Sequence, residues 1–454
     1  MADSSIPKAA PPIAAEICTP IDNTRMAVLF MVMLVTASGN TAMQSILPTI
    51  GTQLDIPDFW VSAAFSWSAL LWVYTAPKWA RLSDHRGRKA LMRLGMIGFT
   101  SSMALAGLAL FLGLLGWYSA LLTFILFAIF RSLYGGLGSA APPAVQAYVA
   151  ARTPRAERTK ALSLIASSFG LGTIVGPAIA PLLILPVLGL SSPMFAFAAI
   201  GIIVIIALKL KLPDDAPRFA ARGIVTNEPF SSAISSGNLR DDGHEDRPAG
   251  QEDAATIVPR LRWGDERIKP WLITGVIGGN ANAVILGVIG FLLLDRLGLR
   301  GDPEMGVEMT GIVLMSGAAA TLLAQWGLIP ILQMGPRSSI LWGMLLAALG
   351  CFIIGVSDGL YEIMLGFAVA SLGFGLFRPG FTAGASLAVE PEEQNGVAGI
   401  VASVNGIAFI ASPALGVLLY TYFDSLPFWL SVAMCLYVFF WGFKKLHLDE
   451  KAAS

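Results

Sequence analysis

The sequence predicts an all-α membrane protein with twelve transmembrane helices in two similar six-helix bundles. Three observations lead to this fold class. Of the 454 residues, 55% are hydrophobic and only 13% are charged, which is about half the charged share of a soluble globular protein. Apolar runs long enough to cross a bilayer recur along the whole chain. The two halves of the chain also resemble each other.

Twelve apolar runs are predicted to span the membrane. A spanning helix needs about 20 mostly apolar residues. Because the bilayer offers the backbone no hydrogen-bond partners, each run is expected to be helical. The predicted spans cover residues 26–49, 60–80, 90–113, 119–150, 160–184, 191–212, 270–294, 309–333, 338–357, 361–388, 397–422 and 426–444.

Lys and Arg cluster in alternate short connections, which indicates how the chain is oriented. The connection after span two holds four positive charges between Arg81 and Lys89, and the one after span four holds four more. Arg296 and Arg300, after span seven, do not fit this pattern. We therefore expect a multi-pass protein of the bacterial inner (plasma) membrane with both termini in the cytoplasm.

The predicted domains follow from one polar stretch in the middle of the chain. Residues 213–268 are rich in Asp, Glu, Arg, Ser and Pro and show no apolar period, which predicts a solvated cytoplasmic linker. It separates an N-terminal bundle, 26–212, from a C-terminal bundle, 269–446. The ends, 1–25 and 447–454, are predicted to be cytoplasmic tails.

Three short matches relate the two halves in the same order. "SGNTAMQ" matches "GGNANAV", which aligns Asn40 with Asn280. "GLGSAAPPA" matches "GFGLFRPGF", and "LIAS" matches "IVAS", which then pairs Pro177 with Pro413. The matches lie at nearly one offset and predict an internal repeat. Two parallel six-helix repeats about an axis along the membrane normal are a known transporter plan.

The connection after span two reads "RLSDHRGRKALM" at 81–92. A carboxylate at Asp84 can cap a helix N-terminus and pair with a nearby Arg. Gly87 supplies a turn conformation that other residues reach only at a cost. With Arg88 and Lys89, these residues form a candidate conformational switch. The alternative is a rigid loop that only anchors the helices.

From Ala80 the stretch reads A-x-x-x-D-x-x-G-R-K and resembles the loop signature G-x-x-x-D-x-x-G-R-[KR] of the major facilitator superfamily. "RSLYGGLGSA" looks like the family's span-four motif. "GTIVGPAIAP" is similar to its antiporter motif G-x-x-x-G-P-x-x-G-G and contributes Gly172, Gly176 and Pro177, although the last two glycines are replaced. The resemblance extends over essentially the whole chain. The resemblance implies the major facilitator fold. Within the superfamily, the chain is similar to the twelve-span drug:proton antiporter branch.

The resemblance implies that spans one, four, seven and ten line a central cavity. Its polar side chains are the substrate-binding candidates: Asn40, Gln44, Arg131, Asn280, Asn282 and Arg378. Arg131 lies about 18 Å along its span, and the resemblance suggests a structural or proton-relay role. The alternative is that Arg131 only donates hydrogen bonds to neighbouring backbone. Arg378 matches no motif, and its alternative is a helix anchor at the cytoplasmic end.

Acidic residues are missing from the predicted membrane interior. No Asp or Glu lies deep within a predicted span, and His85, His244 and His447 all lie outside the spans. Proton relays usually use such groups within the membrane, so proton coupling is implied only by the resemblance. Two arginines without an acid favour anionic or neutral polar substrates, whereas drug export is typical of the branch.

The sequence thus predicts a secondary active transporter that moves a small organic molecule by alternating access, with proton-coupled efflux as the leading hypothesis. One alternative is an exporter or exchanger of an anionic metabolite or siderophore-like compound; another is a transport-dead receptor on the same fold. No enzyme is expected, because no acid, His or nucleophile cluster appears, and the three cysteines show no metal spacing. We expect no cofactor or metal. The expected partners are a small-molecule substrate, protons and lipid, without nucleic acid, for a monomer.

Overall fold

The structure is a computed structural model that describes residues 21–153, 155–213, 263–389 and 394–446. The predicted tails and most of the predicted linker lie outside the described residues. The side chain of Asp84 also lies outside them.

The first half contains six helical spans joined by short connections. An even number of spans places the start of the first and the end of the sixth at one face of the bundle. We call this the terminal face and the opposite one the distal face. The spans are α1 (Asn23–Gln53), α2 (Asp58–Arg86), α3 (Arg88–Leu114), α4 (Ala120–Gly136, continued by Ala141–Arg152), α5 (Arg155–Ile179) and α6 (Ser192–Lys211).

The second half repeats this arrangement. Its spans are α7 (Lys269–Arg296), α8 (Pro303–Leu322, continued through Leu323–Leu328 to Ile331), α9 (Pro336–Val356), α10 (Leu360–Leu387), α11 (Gln394–Tyr422) and α12 (Leu426–Lys445). In the described chain, eleven helices are long and apolar enough to cross a membrane, and the fifth span contributes the shorter apolar helix Ser167–Ile179. The predicted all-helical class with twelve spans is confirmed.

Two spans depart from a continuous α-helix. Span four was predicted as one run, but a 3₁₀ turn at Gly138–Ala140 interrupts it, just before a pair of prolines. Proline lacks the backbone N–H that an α-helix needs. In α8 a π-helical segment, Leu323–Leu328, replaces the regular turn. Such π turns occur frequently at functional sites.

Glycines let equivalent helices pack closely in each half. A Cβ built at Gly172 of α5 would lie 2.6 Å from the carbonyl oxygen of Leu34 in α1. A Cβ at Gly287 of α7 would lie 2.6 Å from the Cα of Pro413 in α11. No side chain fits at either place, so α1 packs on α5 and α7 packs on α11, as expected for two copies of one plan.

The halves touch each other in the middle of the bundle and toward the distal face. A Cβ at Gly406 of α11 would lie 2.5 Å from Val73 of α2. Nearer the distal face, a Cβ at Gly311 of α8 would lie 2.7 Å from the carbonyl oxygen of Pro177 in α5, and Gly290 of α7 packs against a proline of α1. Within the described chain, the two halves are therefore packed together on the distal side.

Candidate functional site

A cavity opens between the halves, and we call it the central cavity. Its empty volume is about 940 Å³, open mouth included. It is bordered by α1 and α5 from the first half and by α7, α8 and α10 from the second. Its lining consists of Ala37, Asn40, Thr41, Gln44, Phe169, Thr173, Pro177, Asn282, Leu286, Leu314, Gly317, Ala318, Thr321, Gln325, Phe367, Ser371, Phe374, Gly375 and Arg378.

The lining changes in character along the membrane normal. Toward the terminal face it carries Arg378 and Gln325, and in the middle it carries hydroxyl and amide groups such as Ser371. Toward the distal face it becomes apolar, with Leu314 and Phe367. None of the described residues that line it is acidic.

A second space, the apolar pocket, adjoins the central cavity on its distal side. Its empty volume, with the space at its opening included, is about 600 Å³, and it is lined largely by apolar side chains, among them Val61, Phe65, Ile289 and Phe409. Gln44 borders both spaces. The predicted cavity residue Gln44 therefore lies where the polar part of the cavity gives way to the apolar part.

Asn40 and Arg131 form one unit. Arg131 of α4 is fully buried, and its Nη2 donates a hydrogen bond to Oδ1 of Asn40 in α1. Its guanidinium also faces the rings of Tyr134, at 4.4 Å, and Phe65, at 5.7 Å, distances at which cation–π attraction operates. Asn40 lines the central cavity and Arg131 does not, so the arginine lies behind the amide.

The two asparagines of α7 have separate surroundings. Asn282 lines the central cavity. Asn280 instead donates to the carbonyl oxygen of Val276, 2.6 Å away, and accepts from the hydroxyl of Ser412 in α11. Asn280 thus joins two helices, although the repeat aligns it with the cavity-lining Asn40.

Arg378 lies on α10 among the cavity-lining residues, and the hydroxyl of Thr382 donates to its carbonyl oxygen over 3.0 Å. The structure therefore brings Asn40, Gln44, Asn282 and Arg378 together around one space. It places Arg131 and Asn280 outside that lining.

Sequence reasoning missed the contribution of α5 and α8. Gln325 lies inside the π turn of α8 and reaches the lining there. Next to it, Gly375 of α10 lets α8 approach, since a Cβ at that position would lie 3.0 Å from Ala324. The interior glutamine in "TLLAQWGL" was the available signal.

A group of charged residues joins the halves at the distal face, and we call it the distal network. Arg300 follows α7, and its Nη2 lies 2.7 Å from Oδ2 of Asp58 at the start of α2. The same guanidinium donates to Asp295, and to the hydroxyl of Thr52 over 3.1 Å. Tyr420 of α11 donates to Asp295 over 2.7 Å. The hydrogen bonds to Asp295 and Asp58 raise the pKa of Arg300 above its ordinary value, so it stays charged.

Arg296 has a different task beside this network. Its Nη1 donates to the carbonyl oxygens of Ile354, over 2.8 Å, and Ser357, at the end of α9. Its Nη2 lies 3.3 Å from Oδ2 of Asp424. A cation stabilises the carbonyl end of a helix. The two arginines that break the charge pattern of the connections are thus held by acids and helix ends at the distal face.

The switch motif lies where α2 turns into α3. Gly87 adopts φ +86°, a backbone conformation that favours glycine. Arg88 and Lys89 are buried, and Nζ of Lys89 donates to the carbonyl oxygen of Leu212 after α6. This contact of the lysine lies within the first half. The predicted role of Asp84 stays a prediction.

The antiporter-like motif packs against α1. A Cβ at Gly176 would contact the carbonyl oxygen of Ser38 and the hydroxyl of Thr41. Gly172 faces the same helix, and Pro177 lines the central cavity. The glycines therefore serve helix packing inside the first half, whereas Pro177 touches both the cavity and the second half.

Relatives with curated descriptions match at low identity. The chain is 28% identical over 190 residues to the Staphyloferrin B transporter of Staphylococcus aureus, covering 41% of this chain and 42% of the relative. It is 28% identical over 203 residues to Multidrug resistance protein MdtG of Proteus mirabilis, covering 43% and 47%. Multidrug resistance protein 2 of Bacillus subtilis is 24% identical over 374 residues, covering 81% and 80%. The chain thus spans less than half the length of the first two relatives.

Solved structures share the fold. A crystal structure of the human organic anion transporter MFSD10 has a TM-score of 0.58 at 18% identity and covers 93% of this chain and 100% of that one. A bacterial homologue of the human lysosomal transporter Spinster, in an inward-facing and occupied conformation, has a TM-score of 0.66 at 12% identity and covers 94% and 98%. The nucleoside transporter NupG has a TM-score of 0.64 at 11% identity and covers 92% and 100%.

The family model of the Major Facilitator Superfamily matches residues 29–333 and 326–453, which is most of the chain. The predicted family is confirmed. The chain therefore belongs to the Major Facilitator Superfamily.

Proposed function

We propose that the protein exports a small organic molecule by alternating access, driven by exchange with protons. The observation that carries the alternating-access part of the proposal is the central cavity. It lies between two similar halves, it is lined by side chains from both of them, and the halves are packed together on its distal side. A site between two halves can face one side of the membrane and then the other as the halves rock.

We further propose that the terminal face is cytoplasmic and that the described conformation faces inward. The orientation rests on the positive charges in the connections of the terminal face. The conformation rests on the distal network, in which Arg300 holds Asp58 and Thr52 of the other half. The bacterial homologue of Spinster, described as inward-facing, has a similar fold.

Proton coupling and drug export are supported by similarity rather than by the cavity. The antiporter-like motif in α5 and two relatives described as multidrug resistance proteins favour them.

The test is transport in proteoliposomes that are acidic inside, with a panel of cationic dyes and organic carboxylates outside. Exchange with protons predicts gradient-dependent uptake of at least one compound, with loss when nigericin collapses the gradient. The control is Asp84→Asn, which keeps side-chain volume and, by the switch hypothesis, should insert normally but not transport. Uptake that does not depend on the gradient would exclude proton coupling.

Export of an anionic metabolite or siderophore-like compound is the second candidate. It is favoured by Arg378 in a lining without described acids and by the match to a Staphyloferrin B transporter. The carboxylates in the same panel test this candidate directly.

A further inference from the structure

The central cavity and the apolar pocket adjoin and share part of their lining. Gln44, Leu286 and Leu314 line both spaces. On α10, Ser371 lies seven residues from Arg378 and Phe367 lies eleven, which corresponds to about 10 and 16 Å along the helix. A ligand of that length would reach from the charged end to the apolar end.

The charged end has the chemistry of an anion site. Arg378 is the sole ionisable side chain among the described residues of the lining. A guanidinium carries five N–H donors in a planar fork. It can therefore hold a carboxylate through two parallel hydrogen bonds and still keep a protein partner.

The other end has the chemistry of an apolar site. The apolar pocket presents aromatic and aliphatic surface from both halves, including Phe65, Ile289 and Phe409. An ammonium group would be opposed by Arg378 at one end and would lose its hydration without a charge partner at the other. Both ends of the combined space therefore disfavour a cationic amphiphile.

We propose that the substrate is an amphipathic organic anion, whose anionic group pairs bidentately with Arg378 and whose apolar body extends toward the apolar pocket. This inference rests on the proposed transport function for its biological meaning. The binding itself can be measured without transport.

The experiment uses three probes that share a naphthylbutyl body and differ in one end: the carboxylate, its methyl ester and the corresponding amine. Binding to the full-length protein in nanodiscs is measured by calorimetry. We expect the carboxylate to bind at least about tenfold more tightly than the ester or the amine. In Arg378→Gln its affinity should fall by roughly ten- to a hundredfold, while ester binding stays the same. Arg378→Lys should lose nearly as much, because an ammonium cannot form the paired bonds.

The matched control is Arg337→Gln, which removes a guanidinium at the start of α9, outside the cavity lining, and should leave all three affinities unchanged. If Arg378→Gln does not assemble, Thr321→Glu replaces it. Thr321 of α8 packs beside Gly375, which lies one helical turn before Arg378 in α10. The new carboxylate should therefore make the protein bind the amine probe more tightly than the carboxylate probe.

Equal binding of the three probes, no binding of any, or full carboxylate affinity in Arg378→Lys would overturn the proposal. Transport of the same probes in proteoliposomes separates the two claims. Arg378-dependent carboxylate binding without uptake would leave the substrate class standing and contradict the proposed function. Proton-driven uptake of dyes, without preferred binding of the carboxylate, would support the proposed function and contradict the proposed substrate class.

Discussion

At the residue scale, the buried guanidinium of Arg131 shows how this chain keeps a charge inside the bundle. Removing a cation from water is costly unless hydrogen bonds compensate. Among the described residues, the compensation comes from the amide of Asn40 and from two aromatic rings, while Nε and Nη1 of the guanidinium have no hydrogen-bond partner. Because Asn40 also borders the central cavity, the support of the charge and the shape of the cavity depend on the same side chain.

Replacing that amide should destabilise the protein. Asn40→Ala removes the hydrogen bond from Nη2 of Arg131, and hydrogen bonds to charged groups contribute about 1.5–3 kcal/mol. We expect the free energy of unfolding to fall by that amount, measured by denaturant titration in mixed micelles. Asn282→Ala truncates another cavity-lining amide and serves as the control. An equal loss in both variants would show that Asn40 has no special role in holding Arg131.

At the element scale, the close approach of α1 and α5 depends on two glycines one helical turn apart, Gly172 and Gly176. Small residues at this spacing let two membrane helices touch along their backbones. The π turn of α8 is a second local device, because it carries Gln325 in the lining of the cavity. Apolar length thus determines which segments form helices, whereas single residues determine how closely those helices approach one another.

Adding one methyl group to this contact should disturb it. In Gly176→Ala the new Cβ meets backbone and hydroxyl oxygens of α1, and overpacking of this kind typically costs about 1–3 kcal/mol. We expect a lower melting temperature and slower transport.

Gly136→Ala is the matched control for that variant. It makes the same change in α4, where a Cβ would meet nothing within 4 Å. It should be neutral or stabilise by up to about 1 kcal/mol, through helix propensity. A Gly176→Ala protein as stable as Gly136→Ala would mean that α1 and α5 do not pack as described.

At the scale of the whole molecule, the distal network ties the two halves together at one face. Arg300 bonds across the interface to Asp58 and Thr52 and is anchored in its own half by Asp295. The arginine is about one-third exposed, so solvent weakens each ion pair. Its bidentate geometry strengthens the pairs again. The network therefore favours the distally closed state without locking it.

Removing this tie should expose the cavity to the distal side. We expect Arg300→Gln to shift the equilibrium toward the distally open state by about 1–2 kcal/mol, or roughly five- to thirtyfold. The readout is the labelling rate of Gln44→Cys by a membrane-impermeant maleimide added from the distal side, in a background without the native cysteines.

Arg267→Gln is the control for the distal network. Its ion pair with Asp265, at 2.8 Å, joins residues two positions apart in one connection. Labelling should stay at the parental rate in this variant. If Arg300→Gln labels no faster than Arg267→Gln, the distal network does not hold the halves closed.

The sequence predicted the parts of this architecture that depend on local composition. Each span follows from its own apolar length, because the bilayer requires it. Contacts between distant residues were not accessible in this way. Arg300 looked like an exception to the orientation rule. The reason for its position was not visible in the sequence, because its partner Asp58 lies 242 positions away. Asn40 and Arg131 were both recognised, but their contact across 91 positions was not.

The distal network and the neighbouring ion pairs of Arg296 together carry an excess of negative charge. Three carboxylates and two guanidiniums line one shared pocket at the distal face, and Asp358 lies 3.8 Å from Arg296. In water, each uncompensated charge repels an anion at 10 Å by about 0.4 kcal/mol, which is roughly a twofold effect on its local concentration. In the proposed direction of transport, an anion leaves through this face. The negative charge then lowers the local concentration of the anion there, and with it the rate at which the anion binds again. The negative charge therefore weakens the binding of an anion from the distal side, and salt, with a screening length of about 8 Å at physiological strength, sets how large this effect is.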